Sequence, residues 1–161
     1  MKPIIYLDTS VMSYLHQKDA QEREEQTLEF WNILKTGKYE IIIGSVAFDE
    51  IEQCSEEKKD IIYQYLADIS YNRISINKEI EELAREIIEE GILKKKSFDD
   101  CLHIATAILN NCNFIVSWNF KHLVNVKTIN GIRQITLAKN MNRFMDIYSP
   151  NMLLEGEDEH E

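Results

Sequence analysis

The sequence predicts an α/β fold, a three-layer α/β/α sandwich around a mainly parallel central sheet. Short, strand-length apolar runs alternate along the chain with longer segments in which apolar residues recur at the helical period of about 3.6 positions. Strands that alternate with helices are typical of parallel sheets covered by helices on both faces. The length of 161 residues, 44% of them hydrophobic, suits one compact domain with a substantial core.

Five short runs have the length and composition of β-strands. The first, residues 4–7, is apolar at consecutive positions, which is typical of a parallel strand buried on both faces. Residues 40–43 and 114–116 form two similar runs, each bounded by a small residue. Residues 73–76 are a weaker candidate, and residues 144–148 are a candidate for a late strand. These runs supply the strands of the predicted sheet.

Helical periodicity marks the segments between these runs. Residues 22–35, 61–69 and 80–88 each carry apolar side chains on one face, which predicts amphipathic helices. Gly37 follows the first of them as a stop signal. Residues 100–109 are apolar nearly all round, so we expect a helix that is buried between other elements.

The distribution of acidic residues indicates where the domain ends and which partners are excluded. We expect one domain over residues 1–150 and an acidic tail over residues 151–161, because the final EGEDEHE has no apolar residue to bury and is expected to be solvated and disordered. The formal net charge of -10 argues against broad non-specific binding to duplex DNA, which depends on Lys and Arg neutralising phosphates. A narrow, metal-bridged contact with nucleic acid stays open.

The cysteines and the first residues indicate a cytoplasmic protein. Cys54, Cys101 and Cys112 are odd in number and far apart, which favours neither a disulfide framework nor a structural zinc site. The first apolar run is broken by Asp8 and is too short for a signal peptide or a membrane span. We therefore expect a reducing cytoplasm and no membrane partner.

Acidic residues recur where the strands end. Ligands of an open parallel sheet bind at the carboxyl ends of its strands. Asp8 directly follows the first run, Glu50 lies on a helical segment after the second, with Ser45 as its expected cap, and Asp100 opens the buried helix. Mg²⁺ and Mn²⁺ prefer hard oxygen ligands such as carboxylates. Asp8, Glu50 and Asp100 are therefore the candidate metal ligands of a site that hydrolyses phosphodiesters.

Each acid also has a purely structural interpretation. Asp8 could simply end a strand, although a charge directly after a buried run is costly without a partner. Glu50 could be an exposed acid near a helix N-terminus. Asp100 could be the partner of Ser97 in a capping box, and the two roles are compatible. Asp99 is interpreted as the exposed neighbour, though it also remains a possible ligand.

Further polar residues flank these acids. Thr9 follows Asp8, Ser117 ends the last strand, and Lys121 is placed to meet a phosphate backbone, so these three are the candidate substrate-binding residues. His103 lies three residues after Asp100, but within an apolar helix it is interpreted as a core or supporting residue. Trp118 either stacks a base or packs against the sheet. The lysines at 94–96 either guide phosphate toward the neighbouring acids or are solvated surface, and a short charge run favours the second interpretation.

Four segments resemble the PIN-domain family in order and spacing, namely IIYLDTSV, SVAFDEI, FDDCLHIATA and FIVSWNFKH. The likeness spans residues 4–123 and is strongest to VapC-type toxins of prokaryotic toxin–antitoxin systems. It implies a PIN-like nuclease domain with Mg²⁺- or Mn²⁺-dependent endoribonuclease activity on RNA. It also implies a homodimer and a small antitoxin that wraps the toxin.

The resemblance assigns positions within the site. The family's first three acids fall on Asp8, Glu50 and Asp100, and the pattern D-x-x-x-x-A-T-A selects Asp100 rather than Asp99. The family's frequent fourth acid is replaced by Asn119, which we take as a further candidate catalytic residue. An amide oxygen can ligate a hard cation but carries no charge, so a second metal is expected to bind more weakly.

Two other functions compete with the ribonuclease. A catalytically degenerate PIN domain that binds RNA or protein is suggested by Asn119 and by the acidic composition. A phosphatase with Asp8 as its nucleophile is a third hypothesis, but Ser10 stands where such an enzyme would carry a second acid. The RNA target and the choice between one metal and two stay open.

Overall fold

The computed structural model describes residues 1–139, 141 and 144–154. Within these residues the chain forms a five-stranded, fully parallel sheet with helices on both faces, so the predicted three-layer sandwich is confirmed. The sheet has the order β3-β2-β1-β4-β5. Its strands are β1 (Ile4–Leu7), β2 (Glu40–Gly44), β3 (Asn72–Ile74), β4 (Phe114–Val116) and β5 (Asp146–Tyr148).

Seven α-helices connect and cover these strands within the described residues. They are α1 (Thr9–Ser13), α2 (Gln21–Lys35), α3 (Ser45–Ile51), α4 (Glu56–Leu66), α5 (Lys78–Glu89), α6 (Phe98–Leu109) and α7 (Val126–Ala138). The predicted amphipathic and buried helices correspond to α2, α4, α5 and α6. No helix in the described part of the chain combines the length and the apolar character needed to cross a membrane.

The alternation of side chains along β1 and β2 divides the core in two. Tyr6 and Ile42 are paired in the register and face a layer made by α5, α6 and α7. Ile5 and Leu7 point to the other face, together with Ile43, and pack against α1 to α4. Because successive side chains of a strand point to opposite faces, a fully apolar strand requires both layers.

The strand order fixes where a ligand can bind. β1 is central, with β2 paired on one side and β4 on the other. After β1 and β2 the chain continues toward one edge of the sheet, and after β4 it continues toward the other edge. The place between β1 and β4 where this direction reverses is the switch point, and open α/β sheets bind their ligands in the crevice that forms there. Asp8 and Ser117 immediately follow β1 and β4 at this point.

Three local details differ from, or add to, the sequence interpretation. Ser45 is the first residue of α3 rather than its cap, since Gly44 holds the N-cap position and the Ser45 hydroxyl accepts a hydrogen bond from Ile76 N. Packed structure continues past residue 150, because Pro150–Leu153 form a 3₁₀ turn. Leu154 also packs on the core. The rest of the predicted tail, from residue 155 onward, lies outside the described residues.

Gly131 of α7 provides a direct test of this packing. A Cβ at this position would lie 2.6 Å from Ile92 Cγ1, and Ile92 is buried. Helix propensity favours alanine over glycine by about 1 kcal/mol, whereas overpacking costs about 1–3 kcal/mol. We therefore expect Gly131→Ala to lower the free energy of unfolding by about 1 kcal/mol in urea denaturation. Asn130→Ala, on the exposed side of the same helix, is the matched control and should not destabilise. A Gly131→Ala protein more stable than wild type would contradict this packing.

Candidate active site

Asp8 is a buried carboxylate at the end of the central strand. Its side chain is only 5% exposed, and its backbone N–H donates to Val116 O of β4 at 3.0 Å. The Oδ2 atom accepts hydrogen bonds from Ser10 Oγ at 2.6 Å and from Ser117 Oγ at 2.8 Å. Both serines are thus used to hold one oxygen of Asp8, while Oδ1 lies 3.5 Å from His103 Nε2.

The two serines are themselves oriented by the backbone. Ser10 Oγ accepts a hydrogen bond from Trp118 N, and Ser117 Oγ accepts one from Asn119 N, each at 2.9 Å. A hydroxyl has one hydrogen to donate, so an oxygen that accepts from the backbone directs that hydrogen to Asp8. Ser117 is fully buried, which favours support of Asp8 over the predicted contact with substrate.

Glu50 approaches the same cleft from α3. Its Oε1 atom accepts a hydrogen bond from Thr9 Oγ1 at 2.9 Å and lies 2.7 Å from His103 Nε2. Burial raises the pKa of Glu50, but the hydrogen bond and charge of His103 and the Thr9 hydroxyl outweigh it and lower the pKa overall. Glu50 therefore stays ionised, and Thr9, a predicted substrate-binding residue, is engaged in positioning it.

His103 is the residue that links the acids, a supporting role that the sequence left open beside a place in the core. It is 1% exposed on α6, and its Nε2 lies 3.5 Å from Asp8 Oδ1 as well as 2.7 Å from Glu50. Its Nδ1 is 2.5 Å from the hydroxyl of Tyr6, a fully buried residue of β1. The interpretation of His103 as a core residue agrees with this burial. The available signal was its spacing of three residues from Asp100, which places both on one face of a helix.

Burial and the neighbouring acids shift the pKa of His103 in opposite directions. Burial lowers the pKa of His103, while the hydrogen bond to Glu50 and the charges of Asp8, Glu50 and Asp100 raise it, and the net direction is upward. Burial, followed by the charge of Asp8, also raises the pKa of Tyr6 well above its usual value, so its phenol stays protonated. In either protonation state the arrangement directs an N–H of His103 at Glu50.

Asp100 is the acid without a hydrogen-bond partner. Asp100 is half-buried in the first turn of α6 and its carboxyl accepts no hydrogen bond from any other described residue, whereas Asp99 is exposed as expected. Burial, together with the charge of Asp8, raises the pKa of Asp100 to about 6. The capping alternative is not realised, because Ser97 makes no side-chain capping bond within the described chain. Asp100 is thus a desolvated carboxyl that a cation would stabilise.

The segment after β4 places its residues differently. Asn119 Oδ1 accepts a hydrogen bond from His122 N at 3.0 Å, so the amide of this candidate catalytic residue closes a turn. Trp118 is 4% exposed and donates from Nε1 to Thr27 Oγ1 at 2.8 Å, so it packs in the core and is not available for base stacking. Lys121 is exposed.

The donor set fits a hard divalent cation in its chemistry but is not arranged as a finished metal site. Carboxylates from three elements influence one another here, since burial and then the charges of Asp8 and Glu50 raise the pKa of Asp100. Yet among the described residues no group of three or more His, Cys, Asp or Glu side chains is arranged to hold a metal ion. His103 Nε2 lies between Glu50 and Asp8, where its N–H offsets their negative charge.

The comparisons with known proteins agree with this architecture. The family model described as PIN domain matches residues 5–122. A chain in the crystal structure of VapBC2 from Rickettsia felis, bound to a DNA fragment from their promoter, superposes with a TM-score of 0.55. The two sequences are 16% identical, and the match covers 89% of this chain and 98% of the other, so the likeness concerns the fold. None of the curated proteins matches the sequence.

The raised pKa values give the metal-free protein a testable pH dependence. A group whose pKa is raised on folding stabilises the protein at low pH, and this stabilisation is lost as the pH rises through the folded-state pKa. Asp100 and His103 both act in this direction, Asp100 near pH 6. With chelator present at pH 7.5, we expect Asp100→Asn to be more stable than wild type by about 1 kcal/mol, after discounting for solvent screening.

Thermal denaturation between pH 4.5 and 8 measures this difference, which should shrink as the pH falls through 6. Asp99→Asn, which removes an exposed carboxylate next to Asp100, is the control and should follow wild type. An Asp100→Asn protein that is less stable than wild type at pH 7.5 would show that this carboxyl is not under electrostatic stress.

Proposed function

Because the chain belongs to the PIN-domain family, we propose that it is a Mg²⁺- or Mn²⁺-dependent endoribonuclease that hydrolyses RNA phosphodiester bonds. The observation that supports this most directly is the grouping of Asp8, Glu50 and Asp100, in which burial, followed by the charges of Asp8 and Glu50, raises the pKa of Asp100. A carboxyl whose pKa is perturbed by burial and by specific charged neighbours is typical of functional sites, and Mg²⁺ binds through one or two carboxylates together with substrate phosphates.

The proposed ligands are the carboxylates of Asp8, Glu50 and Asp100. A bound divalent ion orients the phosphodiester, activates a water and stabilises the leaving oxygen. The protein's own contribution is positioning. Ser10 and Ser117 fix Oδ2 of Asp8 and leave Oδ1 directed at the cleft, while Thr9 and His103 fix Oε1 of Glu50 and leave Oε2 without a partner among the described residues.

Asn119 and Lys121 complete the proposed site. Ser117 links Asn119 to Asp8, because its hydroxyl accepts a hydrogen bond from Asn119 N and donates one to Asp8 Oδ2. We propose the amide oxygen of Asn119 as the uncharged substitute for a fourth acid. A second cation would therefore be held less tightly than the first. Lys121 is exposed two residues further along the chain and is the proposed contact to the RNA backbone.

We further propose that the protein is the toxin of a type II toxin–antitoxin pair, acts as a homodimer and is inhibited by a small antitoxin. The support is the fold shared with a chain of the VapBC2 structure from Rickettsia felis and the sequence segments that resemble VapC-type toxins. A cytoplasmic location is part of the proposal. Its support is that Cys54, Cys101 and Cys112 are all free thiols.

A catalytically degenerate domain that binds RNA or protein without cutting is the second candidate. One observation favours it specifically. His103 donates from the core to Glu50 and neighbours Asp8, so the acids are partly neutralised by the protein itself and are not arranged as a finished metal site within the described residues. In that case the cluster would be a structural network, and divalent ions would change neither stability nor activity.

Cleavage of single-stranded RNA separates the two candidates. Purified wild type with Mn²⁺ should cut a labelled oligonucleotide. Asp8→Asn and Asp100→Asn should each reduce the rate by at least about 100-fold, because removing one charged ligand weakens the metal and the stabilisation of the developing charge. Asp99→Asn is the matched control, since it removes a carboxylate one residue away that is exposed. Equal cleavage by wild type and all three variants would identify a contaminant and exclude the proposed enzyme.

The second metal is tested by restoring the missing charge. Asn119→Asp keeps an oxygen that can accept the hydrogen bond from His122 N, so the turn should be preserved. We expect a Mn²⁺ binding isotherm to show a second site that is tighter by about tenfold than in wild type. Asn72→Asp, which adds the same charge at the amino end of β3, is the control and should leave the isotherm unchanged. No change in Asn119→Asp would place this residue outside the metal site.

A further inference from the structure

A pocket lined by lysines is formed by residues that neighbour the candidate site along the chain and that are not among its acids. It has a volume of about 280 Å³ and is formed by two segments, the one that leads into α6 and the one that leads into α7. Its floor is apolar, from Ile92 and Leu93, which are both buried. Its rim carries four exposed lysines, Lys94, Lys96, Lys121 and Lys127.

Tight packing holds the two walls together, and side-chain hydrogen bonds to the main chain stabilise one of them. Gly131 allows α7 to approach Ile92 closely, because any Cβ there would overlap the Ile92 side chain. The wall that carries Lys121 is fixed by hydrogen bonds from Asn125 Nδ2 to Lys121 O at 3.1 Å and from Thr128 Oγ1 to His122 O at 2.7 Å. The lysines therefore project from a rigid frame rather than from a loose loop.

The pocket is positive in a protein that is strongly negative. The chain carries a net charge of -10, yet no Asp or Glu lines this pocket among the described residues. Within the same residues none of the four rim lysines forms an ion pair, although other lysines such as Lys59 and Lys139 do. Burial lowers the pKa of His122, and the charges of Lys121 and Lys96 lower it further, which reflects the closeness of the two walls. Uncompensated like charges on a fixed frame are the arrangement of an anion-binding site.

The position of the pocket relates it to the acids. Ser97 lines the pocket and stands three residues before Asp100, and Lys121 stands two residues after Asn119. Both walls thus continue directly into segments of the candidate active site. An anion that is held here would lie next to the acidic cluster, and cations beside it would offset the repulsion between those carboxylates and an incoming phosphate.

We propose that this pocket binds the phosphodiester backbone of single-stranded RNA beside the bond that is cut. The inference rests on the proposed ribonuclease function and extends it, because it assigns Lys94, Lys96 and Lys127 to substrate binding together with Lys121. Several ammonium groups along a groove suit a chain of regularly spaced phosphates better than one small anion. The contacts are to the backbone, so they raise affinity for RNA of any sequence.

Binding is measured in the Asp8→Asn background with chelator present, by the fluorescence anisotropy of a labelled polyuridine oligonucleotide. We expect Lys96→Gln/Lys121→Gln to raise the Kd about tenfold and to reduce the slope of log Kd against log salt by about 1.4, as for two lost phosphate contacts. The control Lys2→Gln/Lys35→Gln removes the same charge from exposed lysines near the amino ends of the strands and should change neither value by much.

Three results would overturn the proposal. One is an equal increase of the Kd in the two double variants, which would show that RNA affinity depends on the net charge of the protein and not on this pocket. Another is an unchanged Kd in Lys96→Gln/Lys121→Gln. The third is displacement of the RNA by poly-glutamate at equal charge concentration, which would identify an acidic protein segment as the occupant. Cleavage by the wild type is assayed separately. RNA binding through the pocket without any cleavage would refute the proposed ribonuclease activity but would support RNA binding by the pocket.

Discussion

The charge of Asp8, buried at the carboxyl end of the central strand, is the constraint on which the rest of the site depends. An ionised carboxylate in this position is costly unless it is paired or hydrogen-bonded. Two hydroxyls satisfy one of its oxygens, and the other faces His103 and the cleft. Ser10 and Ser117 come from segments that follow different strands, so holding Asp8 also ties β1 to β4 at the switch point.

Glu50 and Asp100 respond to this charge in opposite ways. Glu50 has His103 and Thr9 as partners, which lower its pKa despite burial. Asp100 has no such partner among the described residues and keeps a raised pKa. The cluster therefore contains one acid that the protein stabilises by itself and one that it leaves under electrostatic stress. A divalent cation would relieve that stress, and this asymmetry is what favours a metal-binding cluster over a structural ion-pair network.

Much of the fold could be predicted, because apolar periodicity reports directly on burial. Residues 4–7 and 114–116 are strands at the predicted positions, and Asp100 lies in the first turn of the buried helix, two residues after its start at Phe98. The acids at strand ends followed from the same reasoning, since topology alone brings those ends together. Their roles as ligands remain a proposal.

What the sequence could not supply were contacts between residues far apart in the chain. The link from Tyr6 through His103 to Glu50 joins three elements, and nothing local to His103 distinguishes it from an ordinary core histidine. The prediction of Ser45 as a helix cap was wrong, because its hydroxyl accepts a hydrogen bond from Ile76 N of a neighbouring segment. The sequence also did not indicate the lysine pocket. Lys94 and Lys127 are separated by α6 and β4, and their segments pack together where Gly131 approaches Ile92.

An anomalous difference map from crystals grown with Mn²⁺ would show whether these acids hold a metal. We expect a peak with carboxylate oxygens of Asp8 and Asp100 at about 2 Å, and with Glu50 as a direct or water-mediated ligand. We also expect this peak to disappear in Asp100→Asn and to persist in Asp99→Asn. A cleft without a peak at saturating Mn²⁺, with His103 still joining Glu50 and Asp8, would contradict the claim that these acids hold a metal.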